Sequence, residues 1–315
     1  VVIVSWNTAD LLQRSLESVR DHWPTEVSCE VIVVDNASDD GSPKLVRQAW
    51  PAVHLVENEV NEGYQRANNR GMSIANGQYL LLLNADAMLA QGSVQAMLER
   101  LRVDPRAGIV GPRLVYGDGS WQRWTAGNDP QLLGAVAFFL FGERFSGYLA
   151  RRSLWLASDV AEPRSADWVS SACLLLRKTV LDDAGFMDER FFAYMDDVDL
   201  CHKARQAGWT VWYQPTTSVV HLMGQSTKRQ TGAASPAALR NFNRYFALRH
   251  GQARTVLLQA IEAVGFTARA AAHATLAMLQ PRQQHHRRHL RDNLRNVRIA
   301  LEAAVPPSPV PSSVA

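Results

Sequence analysis

Long apolar runs are missing from this 315-residue chain. A membrane-spanning helix needs about eighteen or more consecutive apolar residues. The longest candidate, Leu132 to Phe141, has ten, so it reads as core, as an acceptor groove or as a lipid-facing loop. Cysteine is scarce: Cys29, Cys173 and Cys201 lie far apart without metal-ligand spacing. That argues against a disulfide framework or a zinc module, and for buried thiols in a reducing compartment. No secretory signal opens the chain, which starts on Val1 to Val4 without an initiator Met. A few residues are therefore expected upstream, and the compartment is expected to be the cytoplasm. Phosphate-cradling glycine loops are missing too. No Gly-x-Gly-x-x-Gly follows the first apolar segment and no Gly-Lys-Ser/Thr loop occurs, which argues against a dinucleotide-binding fold. Acidic residues are rare near the C-terminus: residues 236–304 hold eleven Arg against three acids, a balance of +8 in a chain of net charge +3. The remaining body is acidic, so nucleic acid is not its expected partner. The basic segment is expected to meet an anionic surface.

What is present reads as α/β. The composition, 47% hydrophobic and 20% charged, suits one large domain with an appendage. Val1 to Val4, Val31 to Val34, Val53 to Val56 and Tyr79 to Leu83 are short apolar segments. Between them, helical spacing such as Leu11, Leu12, Ser15, Leu16 and Val19 recurs. Strands alternating with helices imply parallel pairing and right-handed crossovers. Tyr79 to Leu83 is apolar without alternation, as expected of a strand buried on both faces. Each strand ends in polar residues, and in open α/β sheets ligands bind beyond the carboxyl ends of the strands. Asn84 and Asp86 stand at such an end, where a carboxylate suits Mg²⁺ or Mn²⁺ shared with substrate phosphate. The same pair would equally start a turn and cap a helix. Asp35 would accept from the base or ribose of a nucleotide, or else cap the Ser38 to Gly41 turn.

Farther along, Val169 to Leu176 is expected to rejoin the sheet as one strand, and Thr210 to Gln214 to form another. The densest chemistry is Asp196-Asp197-Val198-Asp199, which follows two Phe and a Tyr and opens a helix over 198–207. One acid explains a helix cap. Three acids in four residues exceed that need, and clustered carboxylates raise one another's pKa, which suits a general base. His221, after an apolar pair, would be structural or complete a metal site as a neutral imidazole.

These pieces resemble a known family. In order they are Val-Ser-Trp-Asn7; Val-Val-Asp35-Asn-Ala-Ser-Asp-Asp-Gly41; Asn61-Glu-Gly-Tyr-Gln-Arg-Ala-Asn-Asn-Arg-Gly71; Leu-Leu-Asn84-Ala-Asp86; Trp168-Val-Ser-Ser-Ala-Cys-Leu-Leu-Leu-Arg177; Phe-Phe-Ala-Tyr-Met-Asp196-Asp-Val-Asp-Leu-Cys201; and His221-Leu-Met-Gly-Gln-Ser226. Together they resemble the family 2 glycosyltransferases of GT-A fold, especially bacterial rhamnosyltransferase-like members. The resemblance covers roughly residues 1–228. It implies a mainly parallel sheet flanked by helices, a nucleotide-sugar donor and inversion at the anomeric carbon. The donor implied is dTDP-rhamnose, with UDP-sugars next. The acceptor implied is a glycan or lipid-linked hydroxyl in cell-surface polysaccharide synthesis. Asp197 matches the catalytic base, with Asp196 and Asp199 as support. Ser5, Asn7, Asp35, Gly63, Arg66, Asn69 and Asn84 match positions at the nucleotide sugar. Trp168, Ser170, Ser171 and Ala172 match the donor and acceptor pocket, and Asp86 and His221 the divalent-metal site. Asn84 replaces the first acid of many relatives, which implies a weaker hold on the metal. Ser171 stands where many have Gly. The Gln-x-x-Arg-Trp of processive relatives is missing after the base; Gln122-Arg123-Trp124 has the wrong spacing and precedes it. Addition of one or a few sugars is expected. The reading from another class is a non-catalytic nucleotide-sugar-binding or scaffold protein, motivated by the missing acid at position 84.

The chain is thus expected to comprise a catalytic domain over 1–228, a helical basic segment over 236–304 broken at Pro281, and a disordered Pro/Ser tail over 305–315. In the helical segment, Leu290, Leu294, Val297 and Leu301 share one face, and Arg288, Arg291, Arg295 and Arg298 share another. Such a helix suits the anionic inner face of a membrane. It would equally pack on the main domain or on a second subunit of a homo-oligomer.

Overall fold

The computed structural model describes residues 1–144, 146–156, 158–222, 236–280 and 282–303. The expected tail over 305–315, the break at Pro281 and the stretch after Leu222 lie outside the described residues. Two compact units emerge. The first comprises Val1–Gly127, Ser158–Phe192 and Asp196–Lys228; the second comprises Asn128–Ala157, Ala193–Met195 and Arg229–Ala315.

In chain order the elements are β1 (Val2–Ser5), α1 (Ala9–His22), β2 (Ile32–Asp35), α2 (Ser42–Ala49), β3 (His54–Glu57), α3 (Tyr64–Ile74) and β4 (Tyr79–Asn84). Next come β5 (Ala87–Met88), α4 (Ser93–Val103), β6 (Ala107–Val115) and β7 (Ala126–Gly127). The helices α5 (Leu132–Phe139) and α6 (Gly147–Arg152) belong to the second unit. The first unit resumes with β8 (Arg164–Ser165), β9 (Trp168–Val169), β10 (Cys173–Arg177), α7 (Thr179–Ala184), α8 (Asp196–Gln206) and β11 (Thr210–His221). Helices α9 (Pro236–His250), α10 (Gln252–Leu279) and α11 (Gln284–Ala300) follow.

Among the described residues, nine strands of the first unit form one sheet in the order β3-β2-β1-β4-β10-β6-β11-β5, with β8 on β11. Helices cover both faces. Leu12 and Leu16 of α1 and Val94 and Met97 of α4 share a core cluster with Ile3, Val33, Leu81 and Leu83. On the other face, Gly71 of α3 packs against Val2 and Val34. This double cover explains why Leu80 to Leu83 are all buried without alternation. Parallel register sets Ser5 beside Asp35 and Val4 beside Asn84, so the strand ends gather along one edge.

The α/β expectation holds, with local corrections. Alternation predicts parallel pairing, yet β10 runs antiparallel between β4 and β6, because the chain enters β10 at the crevice end, with Cys173 opposite Leu83, and not through a crossover from the other end. The single strand expected over 169–176 is two: β9 pairs with β7, and β10 joins the sheet. The break between them leaves Ser170 to Ala172 at the crevice end, where the Asn84 N–H donates to the Ala172 carbonyl at 3.0 Å. Thr210 to Gln214 and Ser218 to His221 belong to one strand, β11, irregular between Gln214 and Ser218 around Pro215. Cys173 and Cys201 are buried as expected; Cys29 is exposed.

The second unit is helical. Phe139, Leu154, Phe242, Phe246, Leu258 and Ile299 form its core. The run over 132–141 is mostly α5, with Ala135 and Ala137 fully buried, so it is core. A Cβ on Gly265 of α10 would lie 2.4 Å from the Phe139 carbonyl oxygen, so only glycine permits this approach. Arg269, one turn on, donates to the Phe139 and Phe138 carbonyls at 2.7 and 3.1 Å, satisfying the C-terminal end of α5. In α11 the inward face carries His286, Asn293, Asn296, Ile299 and Ala300, while Leu294 and Leu301 are 50% and 72% exposed. Of the apolar face expected there, Val297 packs on the core. Arg288, Arg291, Arg295 and Arg298 are all exposed. Among the described residues, no helix is long and apolar enough to cross a membrane.

Candidate active site

The turns after β1 and β2 interlock. Asn7, in the left-handed region at φ 53°, accepts from the Asp39 N–H at 2.8 Å and donates its own N–H to Ser38 Oγ at 2.9 Å. Asp40 accepts from the N–H of Ala9 and of Ser42, the first residues of α1 and α2, which satisfies an orphan donor at each helix start. Asp35 is 2% exposed. Its Oδ2 accepts from the Ser38 N–H at 2.8 Å, while its buried Oδ1 has no partner among the described residues. A buried, unpartnered carboxylate oxygen calls for a donor.

Asn36, which the sequence reading passed over, is a hub. It donates to Asn61 Oδ1 and the Gly63 carbonyl, and accepts from Asn58 Nδ2 and the Glu62 N–H. This network fixes Gly63 (φ +89°), where a Cβ would lie 2.7 Å from the Phe192 carbonyl oxygen. The next N–H, of Tyr64, donates to that same oxygen at 2.9 Å. The Tyr64 hydroxyl then donates to Asn84 Oδ1 at 2.8 Å, with the Ser171 carbonyl 3.1 Å away. Tyr64 therefore ties α3 to the end of β4 and to the β9–β10 break.

At that strand end, Asp86 and His221 face each other: Asp86 Oδ1 lies 3.3 Å from His221 Nε2. Both are buried, at 5% and 8% exposure. Asn84 turns Nδ2 toward the same His221 nitrogen at 3.5 Å, so it offers an amide where an acid would offer a ligand. Behind the ring, Gln122 Oε1 lies 3.0 Å from His221 Nδ1. A carboxylate oxygen and an imidazole nitrogen at this separation suit a divalent cation whose other ligands come from phosphate and water. No group of three or more His, Cys, Asp or Glu poised for a metal occurs among the described residues, so the donor set fits only an ion shared with substrate.

The acid cluster opens α8. Tyr194 and Met195, immediately before it, both take left-handed φ, 67° and 65°, without glycine; such strain costs about 1–3 kcal/mol per residue and concentrates at functional sites. Asp196 accepts from Ser171 Oγ at 2.6 Å and from Gln65 Nε2 at 3.5 Å. Asp197 accepts from the Ser171 N–H at 3.4 Å and from the Val198 N–H at 2.9 Å. Burial, then the charge of Asp196, pushes the Asp197 carboxyl up to about 8. Asp196 is also raised, chiefly by burial. Asp199, fully buried, pairs with Lys203 at 3.1 Å, and its charge adds to the rise of Asp196.

The site is thus assembled from the ends of β1, β2, β4 and β11, the start of α3, the β9–β10 break and the head of α8. Several expected residues turn away from it. Ser5 is fully buried with its hydroxyl 3.0 Å from Thr8 Oγ1. Asn69 spends its amide on Met187 and Glu189, and Trp168 is 6% exposed within β9. Arg66 pairs with Glu189 at 3.2 Å and stays 42% exposed. Tyr64, Gln65 and Gln122 were missed. Tyr64 and Gln65 stand inside the quoted Asn61 to Gly71 motif, which was the available signal.

Residues 1–160 match the sequence profile of Glycosyl transferase family 2. The chain belongs to glycosyltransferase family 2. This glycosyltransferase is 30% identical over 266 residues to the N-acetylglucosaminyl-diphospho-decaprenol L-rhamnosyltransferase of Mycobacterium tuberculosis, covering 79% of this chain and 84% of that one. It is 23% identical over 199 residues to the low-salt glycan biosynthesis hexosyltransferase Agl10 of Haloferax volcanii, covering 61% of this chain and 58% of that one. Among solved structures, the Pyrobaculum calidifontis mannosyltransferase PcManGT in complex with GDP-Man and Mn²⁺ superposes with TM-score 0.58 at 18% identity, covering 95% of this chain and 85% of that one. GalNAc-T7 with UDP, GalNAc and Mn²⁺ gives TM-score 0.55 at 18% identity, covering 78% of this chain and 46% of that one. The glycosyltransferase has the GT-A fold, as expected from its motifs.

Proposed function

We propose that the protein is an inverting, metal-assisted glycosyltransferase that moves a sugar from a nucleoside diphosphate to a hydroxyl of a lipid-linked glycan. The observation that carries this reading is the buried carboxylate pair at the head of α8, joined through Ser171 and the Tyr64 hydroxyl to Asn84 at the end of β4. Asp35, through its unpartnered Oδ1, takes an N–H of the base. Asn7 and Gly63 line the nucleotide side. Asp86 and His221 hold the cation, and the imidazole ligand favours Mn²⁺ before Mg²⁺. When bound, that cation offsets the negative charge of the departing diphosphate. Asp197 removes the acceptor proton: a carboxyl raised by burial is matched to a hydroxyl better than an ordinary one. Ser170 and Ala172 flank the acceptor side. The similarity to the mycobacterial enzyme supports dTDP-rhamnose as donor, UDP-sugars next, and a sugar-diphospho-polyprenol acceptor. Such an acceptor brings the enzyme to the inner face of the cell membrane, and the exposed Arg and Leu of α11 support a peripheral association there.

Asp86→Ala tests the metal reading. Purified protein is expected to transfer rhamnose to a GlcNAc-diphospho-lipid analogue with Mn²⁺, and the variant to lose both transfer and Mn²⁺-stimulated nucleotide binding. Full activity in the variant, or in excess chelator, removes the metal role. A thermal-shift panel of nucleotide sugars ranks the donors, because a ligand of the native state raises its stability; a purine nucleotide sugar giving the largest shift overturns the donor assignment.

A further inference from the structure

Gln122 lies in the connection after β6, in the string Gln122-Arg123-Trp124 that does not fit the processive signature. Its side chain is buried, at 1% exposure, and every polar end of it is used. Nε2 donates to the Val115 carbonyl at 3.1 Å and also to the His221 carbonyl. Both partners are acceptors only, so the amide cannot be reversed without facing oxygen toward oxygen. Oε1 is thereby committed to His221 Nδ1, 3.0 Å away. An amide oxygen only accepts, so Nδ1 must carry the proton, and a neutral ring then has its lone pair on Nε2. That nitrogen lies 3.3 Å from Asp86 Oδ1 and 3.5 Å from the weaker donor Asn84 Nδ2. The carboxylate oxygen and the ring nitrogen are both acceptors, and a cation between them would satisfy both better than the long amide contact does. Gln122 also holds the backbone of the residue whose ring it orients, so that position and tautomer are set by one side chain. Thr125 Oγ1 in turn donates to the Gln122 carbonyl, and the Gln122 N–H donates to the Leu114 carbonyl at 3.0 Å, which fixes the loop.

We infer that Gln122 is a positioning residue that selects the Nδ1–H tautomer of His221 and presents its Nε2 to a divalent cation. The inference rests on the reading of Asp86 and His221 as the metal pair. Outer partners that orient a ligating imidazole typically contribute about 10- to 100-fold in metal affinity.

Two measurements on the full chain test it. In metal-free wild-type protein, ¹⁵N correlation spectra of the histidine rings, with the His221 signal identified by its loss in His221→Gln, are expected to show the Nδ1–H form. A predominant Nε2–H form overturns the inference, whatever the variants do. Second, Mn²⁺ uptake is followed by electron paramagnetic resonance with UDP or dTDP present. Gln122→Leu is expected to bind Mn²⁺ about 10- to 100-fold more weakly without losing metal-free nucleotide binding. Gln122→Glu keeps an acceptor for Nδ1 and is expected to retain most of the affinity. A purely structural role for Gln122 predicts equal losses in both variants, because both disturb the clamp on the two carbonyls, and that result overturns the inference. If wild type and Gln122→Leu bind Mn²⁺ equally, the inference falls while the metal reading stands. If wild type takes up no Mn²⁺, both fall.

Discussion

Asp197 and Asp196 show how two adjacent acids become different reagents. Ser171 donates its hydroxyl to Asp196 and only its backbone N–H, at 3.4 Å, to Asp197. On the proposed reading the better-bonded Asp196 is the anchor, and Asp197, raised first by burial and then by its neighbour's charge, is the base. The rate at limiting substrate is therefore expected to rise with pH along a limb near pH 8. Asp196→Asn removes the neighbouring charge and is expected to move that limb to lower pH; an unmoved limb in the pH–kcat/KM profile contradicts the assignment. Ser171 thus has a physical use, as a strap on the acid pair. At this scale the sequence was informative about residue types and weak about partners. Asp35, Asp86, Asp197 and His221 could be picked out because they stand in an ordered series of motifs; taken singly, each type at a strand or helix end would equally turn or cap the chain. Gln122, 99 residues from His221, could not, since a neutral amide in a loop carries no signature until the fold brings it to a ring. Ser5 and Asn69 misled for the converse reason: their types suit a ligand, and their own neighbours use them.

Elements were legible where periodicity is strong and silent on direction. The buried β1, β2 and β4 and the helices α1 to α4 follow from apolar runs and helical spacing. The reversal of β10 does not, because an apolar run reads the same in either direction, and neither does the break at Ser170 to Ala172 that delivers Ser171 to the acids. In α11 the face carrying Leu290, Leu294, Val297 and Leu301 suited either a membrane or a protein surface; Val297 packs on the core, and it is Asn293, Asn296 and His286 that are turned inward beside Ile299. Polar residues also sit inside α9 and α10. Glu262 is fully buried, accepts from Asn243 Nδ2 at 3.0 Å, and is pushed up to about 8 by burial. Its folded value lies above the unfolded one, so the stability of its neutral form is complete below pH 4.5 and is lost as pH rises through 8. Between those limits the loss runs at about 1.4 kcal/mol per pH unit. Urea unfolding at pH 5 and pH 8 is expected to show wild type losing more stability over that interval than Glu262→Gln. Parallel losses contradict the buried neutral carboxyl.

For the whole molecule, the charge asymmetry read from composition persists as an exposed Arg row on α11, and Leu294, Leu301, Met278 and Leu279 stand out from the helical unit at 50%, 72%, 81% and 73% exposure. Anionic headgroups attract such a row at about 1 kcal/mol per Arg near the surface, and salt weakens the attraction. Flotation with phosphatidylglycerol vesicles at low salt is expected to carry the full-length protein. Reversing Arg288, Arg291, Arg295 and Arg298 to Glu is expected to release it while transfer to a soluble acceptor analogue persists. Wild-type protein that ignores the vesicles contradicts the membrane association. The central claim, that Asp197 is the base of a glycosyl transfer in this crevice, is tested most directly by single-turnover transfer from dTDP-rhamnose to a GlcNAc-diphospho-lipid analogue with Mn²⁺. Loss of a general base lowers such a rate by about 10²- to 10⁴-fold, and Asp197→Asn is expected to fall in that range with nucleotide affinity unchanged. An Asp197→Asn rate equal to that of wild type would contradict the account.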